Sequence, residues 1–323
     1  MAELAIRDAL RDAIREQMVI DERVIVMGED VGAYGGSYGV TKGLLDEFGP
    51  ERIRDTPISE LAFVGAGIGA AIGGLRPIIE IMTINFSFLA LDQIINNASK
   101  IHYMFGGQVP VPVIIRMASG AGLSLGAQHS HSLEGWFAHI PGLKVVCPST
   151  AGDAKGLLRT AFEDNNPIIF IENTALYGVK GEVPEGDYRV PFGEVRIARE
   201  GSDATVIGYS GSVPQALGAA DRLAEEDIEA EVLDLRTLQP LDTHGVVESV
   251  RKTHRAVVVE HDWRSGGFGA ELAARIQELA FDDLDAPVAR VAGVEVPMPY
   301  SFELEKAALP SEAQVVDAVR AMF

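Results

Sequence analysis

Two stretches of the chain carry side chains whose types and spacing could do chemistry. The first is Asp55-Thr-Pro-Ile-Ser-Glu60, followed by a run of small residues over 61–74. Pro57 fixes its own φ and biases the residue before it toward extended geometry, so it ends whatever precedes it. Ser59 is a good N-cap, because its hydroxyl can accept a backbone N–H from the first helical turn. Glu60 then falls in that turn, where the helix dipole favours an anion. Gly65, Gly67, Gly69, Gly73 and Gly74 follow, interspersed with alanines. Each interior Gly costs a helix about 0.5–1 kcal/mol relative to Ala. Close approach of another backbone would offset that cost. The pattern holds one carboxylate at the mouth of a helix packed on a neighbour, away from bulk water.

The second stretch is Gln128-His129-Ser-His131, flanked by Gly120, Gly122 and Gly126. Two His two residues apart suggest a metal, but no matching cysteine or carboxylate cluster follows. An imidazole offered by a Gly-rich loop after a strand fits an acid–base role. A solvated loop His fits as well. A third candidate, Thr83-Ile-Asn85-Phe86-Ser-Phe88, places aromatics at a strand end. Core filling is the simpler reading of Phe86; stacking on a flat heteroaromatic ligand is the other.

Two further motifs belong to rival chemistries. Gly65-Ala-Gly67-Ile-Gly-Ala70 fits the dinucleotide fingerprint G-x-G-x-x-A, yet a cap and a helix start precede it where that fingerprint needs a strand. Close helix packing is favoured. Gly208-Tyr-Ser210-Gly-Ser212 approaches the nucleophile elbow of serine hydrolases. A triad would need Asp234 or Asp262 with His254 or His261, and only Asp234 precedes a His in the usual order. The simpler reading makes Ser212 the N-cap of a helix starting at Val213.

These residues need a scaffold. The chain has 323 residues, which favours two domains. Its formal charge of −20 argues against nucleic acid and anionic membrane surfaces. The single cysteine, Cys147, allows no internal disulfide and reads as a buried structural thiol at a strand end; a reducing, cytoplasmic setting is expected. No apolar run reaches about 18 residues. The N-terminus carries both signs of charge and reads as a helix rather than a signal peptide.

Ile6, Leu10, Ile14 and Met18, four apart, predict an amphipathic helix over 2–19. Strands are predicted at 24–27, around 53, and at 77–82, 111–117, 143–147 and 167–172. Helices are predicted near 41–48 and at 60–74, 89–104, 133–139 and 151–163. Strand-end loops cover 28–36, 83–88 and 119–132, and open parallel sheets place ligands at such ends. Strands alternating with helices mean a largely parallel sheet covered on both faces. Residues 174–203 lose the pattern and read as the interdomain connection. Alternation restarts with strands at 204–209, 229–235, 256–260 and 288–296, and helices at 213–225, 243–252, 268–279 and 311–322. This is a second, smaller α/β domain.

Taken together, Asp55-Thr-Pro-Ile-Ser-Glu60, Gly74-Leu-Arg-Pro77, Met82-Thr-Ile-Asn-Phe86, Asp92-Gln-Ile-Ile-Asn96, Ala127-Gln-His-Ser130, Pro141-Gly-Leu-Lys-Val-Val146 and Val296-Pro-Met-Pro-Tyr300 resemble the beta chains of two-chain, thiamin-diphosphate-dependent 2-oxo acid dehydrogenases. The likeness runs nearly the whole length. The Thr-x-Asn-Phe loop is that of the pyruvate dehydrogenase branch, with the branched-chain and acetoin enzymes as alternatives. A serine hydrolase using Ser210 is the remote alternative. Leu89 stands where pyruvate-type relatives often carry a polar side chain.

The resemblance implies an α/β chain of two domains. An N-terminal parallel-sheet, pyrimidine-binding thiamin-diphosphate domain spans 1–180. A linker at 181–203 joins it to a smaller transketolase-C-terminal-like α/β domain at 204–323. It implies that Glu60 contacts N1′ of the cofactor's aminopyrimidine, which drives the imino tautomer that takes the thiazolium proton. A glutamic acid in water, with a pKa of about 4.3, holds a proton poorly at neutral pH, so a dry site is required. Phe86 would pack on the aminopyrimidine, with Ile58 lining the same pocket. His129 would face the reacting carbons and the lipoyl group that collects the acyl unit. Backbone carbonyls of Val113, Ala161, Phe162, Asp164 and Asn166 would match a potassium site. The family's diphosphate grip, Gly-Asp-Gly with a following Asn, has no counterpart here; Gly186-Asp187 runs into Tyr188. Mg²⁺ and the diphosphate would therefore be held by an alpha subunit in an α2β2 assembly. That assembly would pass acetyl groups to a lipoyl-bearing acyltransferase core, linking glycolysis to acetyl-CoA, and the C-terminal domain would help dock the core.

Overall fold

Uninterrupted apolar runs and one-sided helices sort the chain into two units. The computed structural model describes residues 1–323. The first unit comprises Met1–Ser119 and Trp136–Phe192, and the second comprises Gly120–Gly135 and Gly193–Phe323. The loop bearing His129 therefore belongs with the C-terminal unit, which sequence order alone does not reveal.

The first unit opens with β1 (Ala2–Ala5), α1 (Ile6–Ile20), β2 (Val24–Gly28), α2 (Leu44–Phe48), β3 (Ile53–Asp55), α3 (Glu60–Ile72) and β4 (Arg76–Ile81). A 3-10 helix (Ile84–Ala90), a π-helix (Asp92–Ala98), α4 (Ser99–Met104) and β5 (Ile114–Ser119) follow. After α5 (Glu134–Ala138) come β6 (Lys144–Val146), α6 (Ala151–Glu163), β7 (Ile168–Asn173) and β8 (Lys180–Val183). Six strands lie parallel in the order β6-β7-β5-β4-β2-β3. β2, β5 and β7 are buried throughout, as near-continuous apolar strands of a covered parallel sheet should be. α1 buries Ile6, Leu10, Ile14 and Met18 against α6. Thr150 starts α6 by accepting the Asp153 N–H at 3.1 Å.

Three expectations are corrected here. Ala2–Ala5 is not helical but pairs antiparallel with β8, because β8 offers an edge to which the chain end can add a short strand. The helix expected over 89–104 changes winding from 3-10 through π to α, and it begins inside the stretch expected as a loop. π turns of this kind concentrate at functional sites. The pattern-free segment 174–203 holds β8 and β9, both paired in sheets.

The second unit contains β9 (Arg196–Arg199), β10 (Ala204–Gly208), α7 (Ser212–Ala224), β11 (Ala230–Asp234), β12 (Thr237–Gln239), α8 (Thr243–Thr253), β13 (Ala256–Trp263), α9 (Phe268–Ala280), β14 (Ala289–Gly293), α10 (Phe302–Ala308) and α11 (Glu312–Arg320). Its five-stranded sheet runs β14-β13-β10-β11-β9, parallel except for β9. Asp242 caps α8 through Gly245 N at 2.8 Å, and Ser311 with Gln314 forms a capping box on α11. No helix in the chain is long and apolar enough to cross a membrane.

A buried ion network ties the middle of the first sheet. Arg116 on β5 grips Glu172 on β7 with two bonds of 2.7 and 2.6 Å and Glu80 on β4 with one of 2.7 Å. The Tyr177 hydroxyl adds a bond to Glu172 at 2.7 Å. Burial pushes the Glu80 carboxyl up while Arg116 opposes the shift.

Candidate functional site

The C-terminal ends of the first unit's parallel strands gather polar groups. In-register pairing of Gly28 with both Asp55 and Glu80 puts the ends of β2, β3 and β4 side by side. Glu29 follows β2, Thr56 follows β3, and Thr83 and Asn85 follow β4. Asp55 accepts from Gly32 N at 2.6 Å and Ala33 N at 3.2 Å, which folds the loop after β2 back over the strand ends.

Glu60 is the first residue of α3 and is 3 % exposed. Ser59 holds the N-cap position but does not cap with its side chain; its hydroxyl donates to Pro57 O at 3.2 Å instead. The expected cap bond is absent because Pro57 turns the chain so that its carbonyl lies within reach of the serine. Glu29 is also buried. Burial pushes its carboxyl above the ordinary range, and the nearby Glu60 charge adds to the shift.

Several buried polar atoms at these strand ends have no partner in the chain: both side-chain polar atoms of Asn85, Thr83 Oγ1, Thr56 Oγ1 and Glu29 Oε1. Leaving such a group unsatisfied costs about 1–3 kcal/mol. A group of atoms like this is built to meet something from outside. Phe86 follows directly and is half-buried. Around these polar groups the surface is apolar: Ile58 is 83 % exposed, and Leu61, Phe88 and Leu89 are exposed too. A buried acid, an unpaired amide and a half-open ring fit a flat, nitrogen-rich ring such as an aminopyrimidine. Exposed Ile58 then waits for a wall that this chain does not supply.

Of the glycines in α3, Gly67 meets the sheet, since a Cβ there would lie 2.4 Å from Ile79 Cδ1 and 3.3 Å from Met27 Sδ. Gly65 abuts the Gln93 side chain, whereas Gly69 has open space beside it. Intrachain packing thus accounts for only part of the glycine run.

Four of the five carbonyls matched to potassium are already engaged. Phe162 O and Asp164 O accept from Arg76 Nη1 at 2.7 and 3.1 Å, and Val113 O accepts from Ile168 N at 2.9 Å. Ala161 O accepts from Asp164 N at 3.3 Å. All these donors are oxygens, as a hard cation requires, but a guanidinium stands on two of them.

In the second unit, His129 is half-buried on the loop after β5. Its N–H bonds Gly126 O at 3.2 Å, and Gly120 N bonds His131 O at 2.8 Å, closing the loop at its base. Burial lowers the pKa of His131, whose ring meets the Trp263 ring edge-on at 5.4 Å between centroids. Beside it Asp262 is buried, and its carboxyl is pushed up to about 8 by burial and by Glu134.

The hydrolase constellation is not assembled. Ser210 is 2 % exposed, Asp234 pairs with Arg196 at 2.9 Å, and the His254 ring bonds Asp283 O at 2.8 Å. Ser212 does not cap α7 but begins it, with Gly211 at the cap position. Its hydroxyl instead takes Tyr209 N at 3.0 Å and donates to Val259 O at 2.8 Å.

The structure places Glu60, Ile58 and Phe86 in the first unit and His129 in the second. Three residues escaped sequence reasoning. Glu29 was visible as the acid after a buried strand, and Asn85 as the polar residue before Phe86. Glu305, whose carboxylate holds the His129 loop at Gly122 and Ser124, carried no signal at all.

Comparison with known proteins bears on these geometries. Residues 2–180 match the transketolase pyrimidine-binding domain, and residues 193–315 match the transketolase C-terminal domain. The pyruvate dehydrogenase E1 component subunit beta of Rickettsia felis is 50 % identical, covering 98 % of each chain. That of Rhizobium meliloti is 52 % identical over 100 % of this chain and 70 % of its own. The mitochondrial subunit of Caenorhabditis elegans is 49 % identical over 98 % and 92 %. A solved structure described as a split gene transketolase, inactive beta4 tetramer, superposes with a TM-score of 0.81 at 25 % identity, covering 99 % of this chain and 98 % of that one.

Proposed function

The chain belongs to the family of pyruvate dehydrogenase E1 component beta subunits, and on that premise we propose that it supplies the pyrimidine side of a thiamin-diphosphate site shared with an alpha subunit. The pair, assembled as α2β2, carries out oxidative decarboxylation of pyruvate and reductive acetylation of lipoyl groups on an acyltransferase core. The observation that carries this reading is Glu60: a carboxyl group closed off from water at the head of α3, beside a second buried acid.

Thiamin diphosphate, when bound, supplies the carbon nucleophile that attacks the 2-oxo group. This chain's residues prepare it. Glu60 would hydrogen-bond N1′ of the aminopyrimidine and exchange a proton with it. Phe86 would lie against the ring, and Ile58 would line the same pocket. Asn85 offers a donor and an acceptor that nothing in the chain occupies. His129 would move a proton at the incoming lipoyl sulfur. Mg²⁺ and the diphosphate fall to the alpha subunit, since this chain has no Gly-Asp-Gly grip.

Reconstitution tests the reading. Mixed with an alpha subunit, the chain should bind thiamin diphosphate and Mg²⁺ and decarboxylate pyruvate faster than branched-chain 2-oxo acids or acetoin. A preference for either rival substrate moves the chain to that sister activity. Failure of the mixture to bind the cofactor defeats the shared-site reading.

A further inference from the structure

We infer that Glu305 is a positioning residue for the lipoyl-acylation half of the reaction, acting by clamping the loop that presents His129. The inference rests on the functional reading above and adds to it a residue outside the reacting centre.

Glu305 lies on the short helix α10 and is 1 % exposed. One carboxylate oxygen accepts from Gly122 N at 2.9 Å and Ser124 N at 3.1 Å. The other accepts from Ser124 N at 2.9 Å and Ser124 Oγ at 3.3 Å. A buried anion is costly unless it is fully hydrogen-bonded, and bonds to a charged acceptor are roughly twice as strong as neutral ones. Here neutral loop donors do the whole task, so loop and carboxylate depend on each other.

The loop needs such a clamp. Ser124 sits at φ 54, a left-handed conformation that costs a non-Gly residue energy, and Gly122 sits at φ 114. Two further contacts fix the same stretch to the same part of the chain. Ala121 packs with Met298, Ala308 and Leu309, and Gly126 lies so close to Tyr300 that a Cβ would meet its Cδ2 at 3.1 Å. From Gly126 the chain makes one turn, closed by His129 N on Gly126 O, and reaches the imidazole. The backbone of His129 is therefore set from Glu305 through Ser124 and Gly126. A displacement of about 1 Å in a reacting group can cost roughly 100-fold in rate.

Glu305→Gln is nearly isosteric but turns an amide NH2 toward a loop N–H or loses one acceptor. In the reconstituted α2β2 enzyme, this variant should lower reductive acetylation of a lipoyl domain by about 10–100-fold. Decarboxylation into an artificial electron acceptor should change by less than about two-fold. Combined with His129→Ala it should cost nothing beyond His129→Ala alone, as for residues acting as one unit. Equal loss in both half-reactions, no loss in either, or additive losses would overturn the assignment. Amide exchange in the wild-type holoenzyme is the second measurement and does not depend on the variant folding. Gly122 and Ser124 should be protected at least about ten-fold over the neighbouring Ala127 and Gln128; unprotected amides overturn the clamp. A wild-type tetramer inactive on every 2-oxo acid would sink the functional reading and the acylation role with it, while the exchange measurement would still judge the clamp.

Discussion

Glu29 and Glu60 form a pair of buried carboxyl groups, one at the end of β2 and the other at the start of α3, close enough that the Glu60 charge pushes Glu29 up beyond what burial alone does. Two like groups placed together in a dry site cost stability and serve chemistry. Glu60→Gln should therefore stabilise the chain by about 0.5–2 kcal/mol at neutral pH, since it removes a charge that opposes Glu29. Urea denaturation of wild type and variant measures this. A destabilised variant would mean that the Glu60 carboxylate is satisfied in the unliganded chain.

Arg116 makes the opposite case. It is the only cation between Glu80 and Glu172. Arg116→Leu leaves two buried acids without a counter-charge and should cost about 3–5 kcal/mol, lowering the denaturation midpoint accordingly. A loss below about 1 kcal/mol would show that the acids readily take up protons.

Asp262 gives the pH dependence. Its carboxyl holds its proton up to about 8 in the folded chain, against an ordinary value near 3.8. Between those values the unfolded chain binds fewer protons than the folded one, so stability falls as pH rises, with a slope of up to ~1.4 kcal/mol per pH unit, and levels off above the window. The facing groups are Glu134 and Glu260, which favour the neutral acid, and Arg290 and the Trp263 N–H, which oppose it. Asp262→Asn keeps the acceptor for Trp263 N and should flatten the fall between about pH 5 and pH 8. Parallel curves for the two proteins would refute the buried proton.

Ile58, Leu61 and Leu89 lie exposed near the candidate site. Purified alone, the chain should be inactive and self-associated. Leu61→Asp should abolish assembly with the alpha subunit while leaving the circular dichroism spectrum unchanged. Sedimentation of the mixture distinguishes these outcomes, and an intact α2β2 species with Leu61→Asp would exclude this surface.

Elements with strong local instructions were legible in the chain. Residues 151–163 carry a helical face and a Thr-x-x-Asp start, and they fold over the span expected. Glu60 at the head of a Gly-rich helix was readable from Pro57 and the small residues behind it. What was hidden depends on partners distant in sequence. Ala2–Ala5 turns to strand because β8, far along the chain, offers an edge. The 3-10 and π windings after β4 carry no signature that propensity can distinguish from an ordinary helix. Glu305 looks like any surface glutamate until Gly122 and Ser124 come round to meet it.

The most direct test is the rate of pyruvate decarboxylation by α2β2 enzyme carrying Glu60→Gln, with assembly and folding verified beside wild type. Losing the proton exchanged at N1′ should reduce the rate by at least about 100-fold, the low end for a positioned acid–base group. A variant that assembles and turns over pyruvate at the wild-type rate would contradict the role given to this residue.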